Sequence, residues 1–272
     1  MGIAHSRGRL ALAMVLTLLL CLRFDSSLTI LPLLTAILGA MGIREFHRMA
    51  RLQDAPFSRP IAILLGFAIV VMGRLPLEDF VNLFPVVITF SVIFLFTIQM
   101  NRFGIPGALT GMAAGAFSLV YVAAPLALAL QVLQMDRLFL FFGLVLIWSA
   151  DSGAYFVGRK FGRHKMAPNL SPKKTVEGLL GGVLVCCLMS WIFTLITPAG
   201  SFDYPLSHLL VLGGLIGILA PIGDLAESVL KRDAGVKDSG TGLGGHGGAL
   251  DRIDSMLFCM PAYYAYLRFL AD

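Results

Sequence analysis

Apolar residues fall into nine long runs along the chain, at roughly 8–23, 27–43, 60–79, 81–99, 105–130, 137–157, 176–197, 207–227 and 252–270. A helix needs about 20 apolar residues to cross the hydrocarbon core of a bilayer, and the runs are of that size. Polar residues are confined to the short stretches between them. The pattern predicts an all-α, polytopic membrane protein of about nine transmembrane helices. The first run follows Arg7 and Arg9, as the apolar core of a signal peptide would. Leu22-Arg23-Phe24-Asp25 offers no small-residue cleavage site, so the run is expected to remain as the first span.

Composition strengthens this picture. Of 272 residues, 57% are hydrophobic and 14% charged, with a mean hydropathy of +0.84; soluble domains carry roughly a quarter charged residues. No polar block of domain size exists. Cys21, Cys186, Cys187 and Cys259 all lie inside apolar runs, without metal-ligand spacing, and read as small buried hydrophobes.

Residues 105–134 hold no charge, and their length admits one crossing or two. The distribution of basic residues decides between these, because cytoplasmic loops collect Lys and Arg. One crossing places seventeen Lys and Arg on the N-terminal side and four on the other; two crossings give nine and twelve. One crossing is therefore expected. The N-terminus and the polar loops 158–175 and 228–252 are then cytoplasmic, and the C-terminus lies outside. The net charge of +5 follows from this asymmetry and favours anionic headgroups. No aromatic-interleaved basic patch accompanies it, so nucleic acid is not an expected partner.

The N-terminal region, 1–135 with about five spans, is nearly featureless. Its basic stretch REFHRMARLQDAPFSRP (44–60) is expected to be a topology signal and a solvated loop. The C-terminal region, 136–272 with about four spans, carries the candidate chemistry. Asp151 lies about two turns inside the sixth run, ahead of Arg159 and Lys160. An ionised Asp at a helix centre costs about 3 kcal/mol on insertion scales, so Asp151 needs a partner, a cation or water. The next loop holds Ser171, Lys173 and Lys174 beside a proline-set turn, a combination suited to a polyanion such as a nucleoside triphosphate. Asp224, Glu227 and Ser228 are spaced i, i+3, i+4 on one helix face, followed by Lys231 and Arg232; Asp251, Asp254 and Ser255 repeat the spacing on the next helix. The two helices run antiparallel through a short glycine-rich connection, which should bring Asp224 close to Asp251. Crowded carboxylates repel and call for a divalent cation. Magnesium takes one or two carboxylates plus waters and substrate phosphates and is the expected cofactor; whether a monovalent cation joins it stays open.

The stretch SVLKRDAGVKDSGTGLGGHGGALDRIDS (228–255) resembles the signature of the phosphatidate cytidylyltransferases, or CDP-diacylglycerol synthases. Ser228, Lys231, Arg232, Lys237, Asp238, His246, Gly247, Gly248, Asp251, Arg252 and Asp254 occupy its positions. DSGAYFVGRKFG and SPKKTVEG are similar to a second region of the same family. Gly244 departs from it, since many members have proline there, which implies a looser loop. The motifs cover roughly 148–255, and the first half resembles the family only in hydropathy and span number. The resemblance implies transfer of CMP from CTP to phosphatidic acid in the bilayer, giving CDP-diacylglycerol and pyrophosphate for phospholipid biosynthesis. It implies magnesium on Asp224 and Asp251, and a multi-pass protein that is often a homodimer. Asp224, Asp251, Asp254, Lys231 and Arg232 are the expected catalytic residues. Ser228, Lys231 and Arg232 would take the lipid phosphate or pyrophosphate, and Lys173 and Lys174 the nucleotide. Asp151, Ser171, Lys237, His246, Gly247, Gly248 and Arg252 complete the expected substrate site.

A bacterial inner membrane, with the site facing the cytoplasm, is the expected location. A CTP-dependent lipid or polyprenol kinase would use similar charges but release CDP. A transporter would use Asp151 as an ion site. A CDP-alcohol phosphotransferase needs a DGxxAR run, which DSGAYFVGR does not match.

Overall fold

The computed structural model describes residues 29–51, 58–197, 204–240 and 247–270, so the first expected span, 8–23, lies outside the described residues. Eight helical rods account for the other eight: α1 (Ile30–Arg51), α2 (Arg59–Met72), α3 (Leu77–Arg102), α4 (Ala108–Met135), α5 (Arg137–Phe161), α6 (Val176–Ile196), α7 (Leu206–Asp233) and α8 (Leu250–Phe269). Six of them, all but α2 and α8, are long and apolar enough to cross a membrane. At 1.5 Å per residue, the 14 residues of α2 span about 21 Å, less than the ~30 Å hydrocarbon core. In α8, Asp251, Arg252 and Asp254 lower the apolarity of the first turns. The protein is an all-α, multi-pass membrane protein.

α4 runs unbroken from Ala108 to Met135, with one π-helical stretch at Leu119–Ala123, so residues 105–134 make the single crossing that charge counting favours. α4 is also the centre of the bundle: Leu119, Leu126, Leu130 and Leu133 are fully buried. α3, by contrast, presents Phe90, Ile93 and Phe94 outward, as a lipid-facing helix does.

Two boundaries differ from expectation. The turn between α2 and α3 falls at residues 73–76, not near residue 80. Gln131 of α4 explains this, because its amide donates to the carbonyls of Gly73 and Leu75 at 3.0 and 2.9 Å. A Cβ on Gly73 would sit 2.4 Å from Ala127 O, so only glycine lets the turn come this close. The larger correction concerns 44–51, expected to be a solvated loop. It continues α1, and Glu45, Phe46, His47 and Met49 are buried. His47 Nε2 meets Ser118 Oγ at 2.9 Å.

The loop after α5 contains a small antiparallel hairpin, β1 (Lys165–Ala167) with β2 (Ser171–Thr175), pairing Lys165 with Thr175 and Ala167 with Ser171. Thr175 then caps α6, its hydroxyl accepting from Gly178 N at 3.1 Å. Glu177 folds back to accept from the backbone N–H groups of Arg163 and His164, closing the hairpin onto the helix start.

α5, α6 and α7 pack almost backbone to backbone. A Cβ on Gly181 of α6 would lie 2.4 Å from Val157 Cβ of α5, and one on Gly217 of α7 would lie 2.7 Å from Val183 Cα. Small residues permit this approach where no hydrophobic force separates helix from lipid. Gly181→Val should therefore force α5 and α6 apart, a strain of about 1–3 kcal/mol. Its detergent melting temperature should fall by roughly 5 °C; an unchanged melting curve would show that the contact carries no stability.

Candidate active site

The functional side chains gather where the ends of α5, α7 and α8 meet the β-hairpin. α7 and α8 set the core of the site by close contact. Gly223 lies against the backbone of Asp254 and Ser255, and a Cβ on it would come within 2.8 Å of Asp254 O. That contact turns Asp254 toward the neighbouring residue Asp224. Asp224, Glu227 and Asp254 offer carboxylate oxygens all within 4.8 Å of one another. Glu227 is fully buried, and its Oε1 has no hydrogen-bond partner among the described residues. Three hard oxygen donors, one of them orphaned, fit a divalent cation such as magnesium.

Asp251 stands outside this group. Its Oδ2 accepts from Gly248 N at 2.7 Å, and from Ser239 N and Oγ at 3.1 and 2.9 Å; its Oδ1 receives Lys231 Nζ at 2.7 Å. Lys231 also binds Glu227 Oε2 at 2.6 Å. One ammonium thus bridges the three-carboxylate group and Asp251. Lys174 makes the corresponding link from the hairpin, pairing with Asp224 at 2.8 Å and donating to Pro221 O at 2.8 Å.

Asp224, Asp254, Asp251, Lys174 and Lys231 line a cavity of about 450 Å³, while Glu227 stays buried behind them. Of the residues singled out in the sequence, Asp151, Ser171, Lys173, Lys174, Asp224, Lys231, Asp251, Asp254 and Ser255 face it. Ser228, Arg232, Lys237, Gly247, Gly248 and Arg252 do not line it. Arg232 instead closes the end of α7, donating to Val236 O at 3.2 Å. Gly247 and Gly248 act through their backbone at the start of α8, Gly247 with φ of +88°, a conformation that favours glycine. His246 and Gly244 lie outside the described residues.

Three further residues near the site are not singled out by the sequence. Tyr121, in the π-helical stretch of α4, keeps a buried hydroxyl without a partner among the described residues, within electrostatic reach of Glu227 and Asp254. π-helical insertions recur at functional sites. Ser239 binds Asp251. Glu45 reaches the same place from α1, accepting from Ala249 N, Leu250 N and Ser239 Oγ. A single carboxylate in an arginine-flanked stretch gave no sequence signal of that role.

Comparison with known proteins agrees with this geometry. The chain is 46% identical over 134 residues to a phosphatidate cytidylyltransferase of Bacillus subtilis (strain 168), covering 49% of each protein. It is 41% identical over 133 residues to the phosphatidate cytidylyltransferase of Haemophilus influenzae, covering 48% of this chain and 45% of that one. Against the phosphatidate cytidylyltransferase of Chlamydia pneumoniae the identity is 34% over 279 residues, covering 94% and 89%. The chain thus spans about half the length of the first two relatives and most of the third. The model of the cytidylyltransferase family matches residues 5–270. From the signature on α7 and α8 to the extent of these matches, the chain belongs to the cytidylyltransferase family.

Proposed function

We propose that the protein transfers CMP from CTP to phosphatidic acid, giving CDP-diacylglycerol and pyrophosphate, at the cytoplasmic face of a bacterial inner membrane. The observation that carries this reading is the cavity itself, where Asp224 and Asp254, clustered with the buried Glu227, lie beside Lys231, Lys174 and Lys173 at the end of a membrane-embedded bundle. No serine–histidine or cysteine–histidine nucleophile is needed, because the lipid supplies the nucleophile. A phosphate monoester is mostly a dianion at neutral pH, its second ionisation lying near pH 6. One of its oxygens forms a bond to the α-phosphorus of CTP, the bond from that phosphorus to the β-phosphate oxygen breaks, and pyrophosphate leaves with the electron pair. No proton transfer is required.

The chain's contribution is to hold two polyanions in line and to neutralise their charge. Lys173 and Lys174 on the hairpin face the triphosphate, and Lys231 faces the phosphate that leaves or the one that attacks. Asp224, Glu227 and Asp254 would hold magnesium, which when bound screens the phosphate oxygens and stabilises the departing pyrophosphate. The acyl chains stay in the bilayer beside the cavity while CTP enters from water.

The test is a partition experiment. Purified protein in lipid–detergent micelles is given phosphatidate, magnesium and CTP labelled in the cytosine ring. Label should enter the organic phase, and EDTA should abolish the transfer. Label that stays aqueous as CDP would make the protein a lipid kinase instead, and untouched CTP would overturn the reading.

A further inference from the structure

We propose that Glu45, in the first half of the chain, is a positioning residue for nucleotide binding: it clamps the two ends of the glycine-rich connection and so fixes Asp251 and Lys231 against the cavity. This rests on the cytidylyl transfer proposed above. Glu45 is buried at the cytoplasmic-side end of α1. Its Oε1 accepts from Ala249 N at 2.9 Å, and its Oε2 from Leu250 N at 2.9 Å and Ser239 Oγ at 3.0 Å. The first two bonds satisfy backbone N–H groups at the start of α8 that no helical carbonyl can reach. The third reaches the other end of the connection, just after α7.

The glycines at both ends are explained by this carboxylate. A Cβ on Gly248 would fall 2.2 Å from Glu45 Oε2 and 2.1 Å from Ser239 Oγ, and a Cβ on Gly240 would fall 2.5 Å from Glu45 Oε1. Residues 239–240 and 248–250 therefore close around Glu45, and any side chain at Gly240 or Gly248 would displace it. Asp251 repeats the clamp one layer out, since its Oδ2 holds Ser239 and Gly248 while its Oδ1 holds Lys231. The Ser239 hydroxyl has one proton and two carboxylate neighbours. When it turns to Glu45, its backbone N–H keeps Asp251 at 3.1 Å. Removing Glu45 leaves two N–H groups unmatched, and the Ser239 hydroxyl with Asp251 alone, directly behind two residues that face the cavity. The effect should reach the cavity through Asp251 and Lys231, although Glu45 itself does not line it.

The test is equilibrium binding of labelled CTP, in magnesium, to the purified full chain in detergent. Glu45→Gln keeps the size of the side chain but offers one oxygen where three donors need two. Its Kd for CTP should rise about tenfold, as loss of a supporting partner behind a site typically does. A purely structural role would reduce the number of binding sites and leave the Kd of the remainder unchanged; a folded Glu45→Gln protein with wild-type Kd overturns the proposal. If that variant does not fold, Ser239→Ala decides, because it keeps both backbone bonds to Glu45. Its Kd should rise roughly threefold, and a wild-type Kd there overturns the proposal equally. Because binding is read without turnover, wild-type protein that binds CTP but leaves phosphatidate unmodified would refute the proposed reaction while leaving the Glu45 comparison intact.

Discussion

Asp224→Asn should lose about a thousandfold in kcat, the scale of several kcal/mol of transition-state charge stabilisation, while melting within a few degrees of the wild type. Asparagine preserves the shape of the side chain and one oxygen but removes the charge that would draw the proposed cation to the group formed with Glu227 and Asp254. The fold should survive because Asp224 is only half-buried and its partner Lys174 keeps a second bond, to Pro221 O. The measurement is the initial rate of lipid labelling across a magnesium series, beside a thermal melt. A variant that recovers wild-type turnover at high magnesium would show that Asp224 tunes affinity only. Wild-type turnover at every concentration would remove Asp224 from the chemistry. A melting temperature that collapses with activity would make the residue structural.

Much of this architecture was legible in the chain because membrane helices leave a strong signal. Eight of nine expected spans correspond to described helices, and the single crossing of α4 followed from the positions of arginines and lysines. The site was legible as far as local spacing reaches. Spacing of i, i+3 and i+4 placed Asp224 and Glu227 on one face of α7, and the hairpin lysines expected at the site do line the cavity. Spacing could not say which carboxylate of α8 faces Asp224, because that depends on how α8 is rotated about its axis. Gly223, packed on the backbone of Asp254 and Ser255, sets the rotation and brings Asp254 rather than Asp251 into the group. Asp224 and Asp251 still line the same cavity, as antiparallel helices joined by a short loop require. Glu45 was invisible for a different reason. Its partners lie 194 to 205 residues away, and the charged end of a helix that projects past the apolar region is indistinguishable in composition from a solvated loop. The same ambiguity hid the end of α1.

Lys231→Met should damage stability and activity together, and a second substitution should separate the two. The ammonium is only 13% exposed and lies between Glu227 at 2.6 Å and Asp251 at 2.7 Å. Deleting it leaves Glu227, fully buried, with an uncompensated charge, a loss that typically costs about 3–5 kcal/mol. The melting temperature should drop by roughly ten degrees. Activity should fall at least a thousandfold, since Lys231 is also a cation facing the cavity where phosphates must be held in line. Adding Glu227→Gln to Lys231→Met removes the stranded charge, so the double variant should regain most of the lost melting temperature. It should regain none of the activity, because the cavity-facing cation is still missing and a carboxylate of the group proposed to hold the metal has gone as well. Recovery of turnover with the double variant would mean that Lys231 serves only to neutralise Glu227. Failure to recover stability would place the damage at Asp251, whose Oδ1 would then be the carboxylate that most needs the lysine.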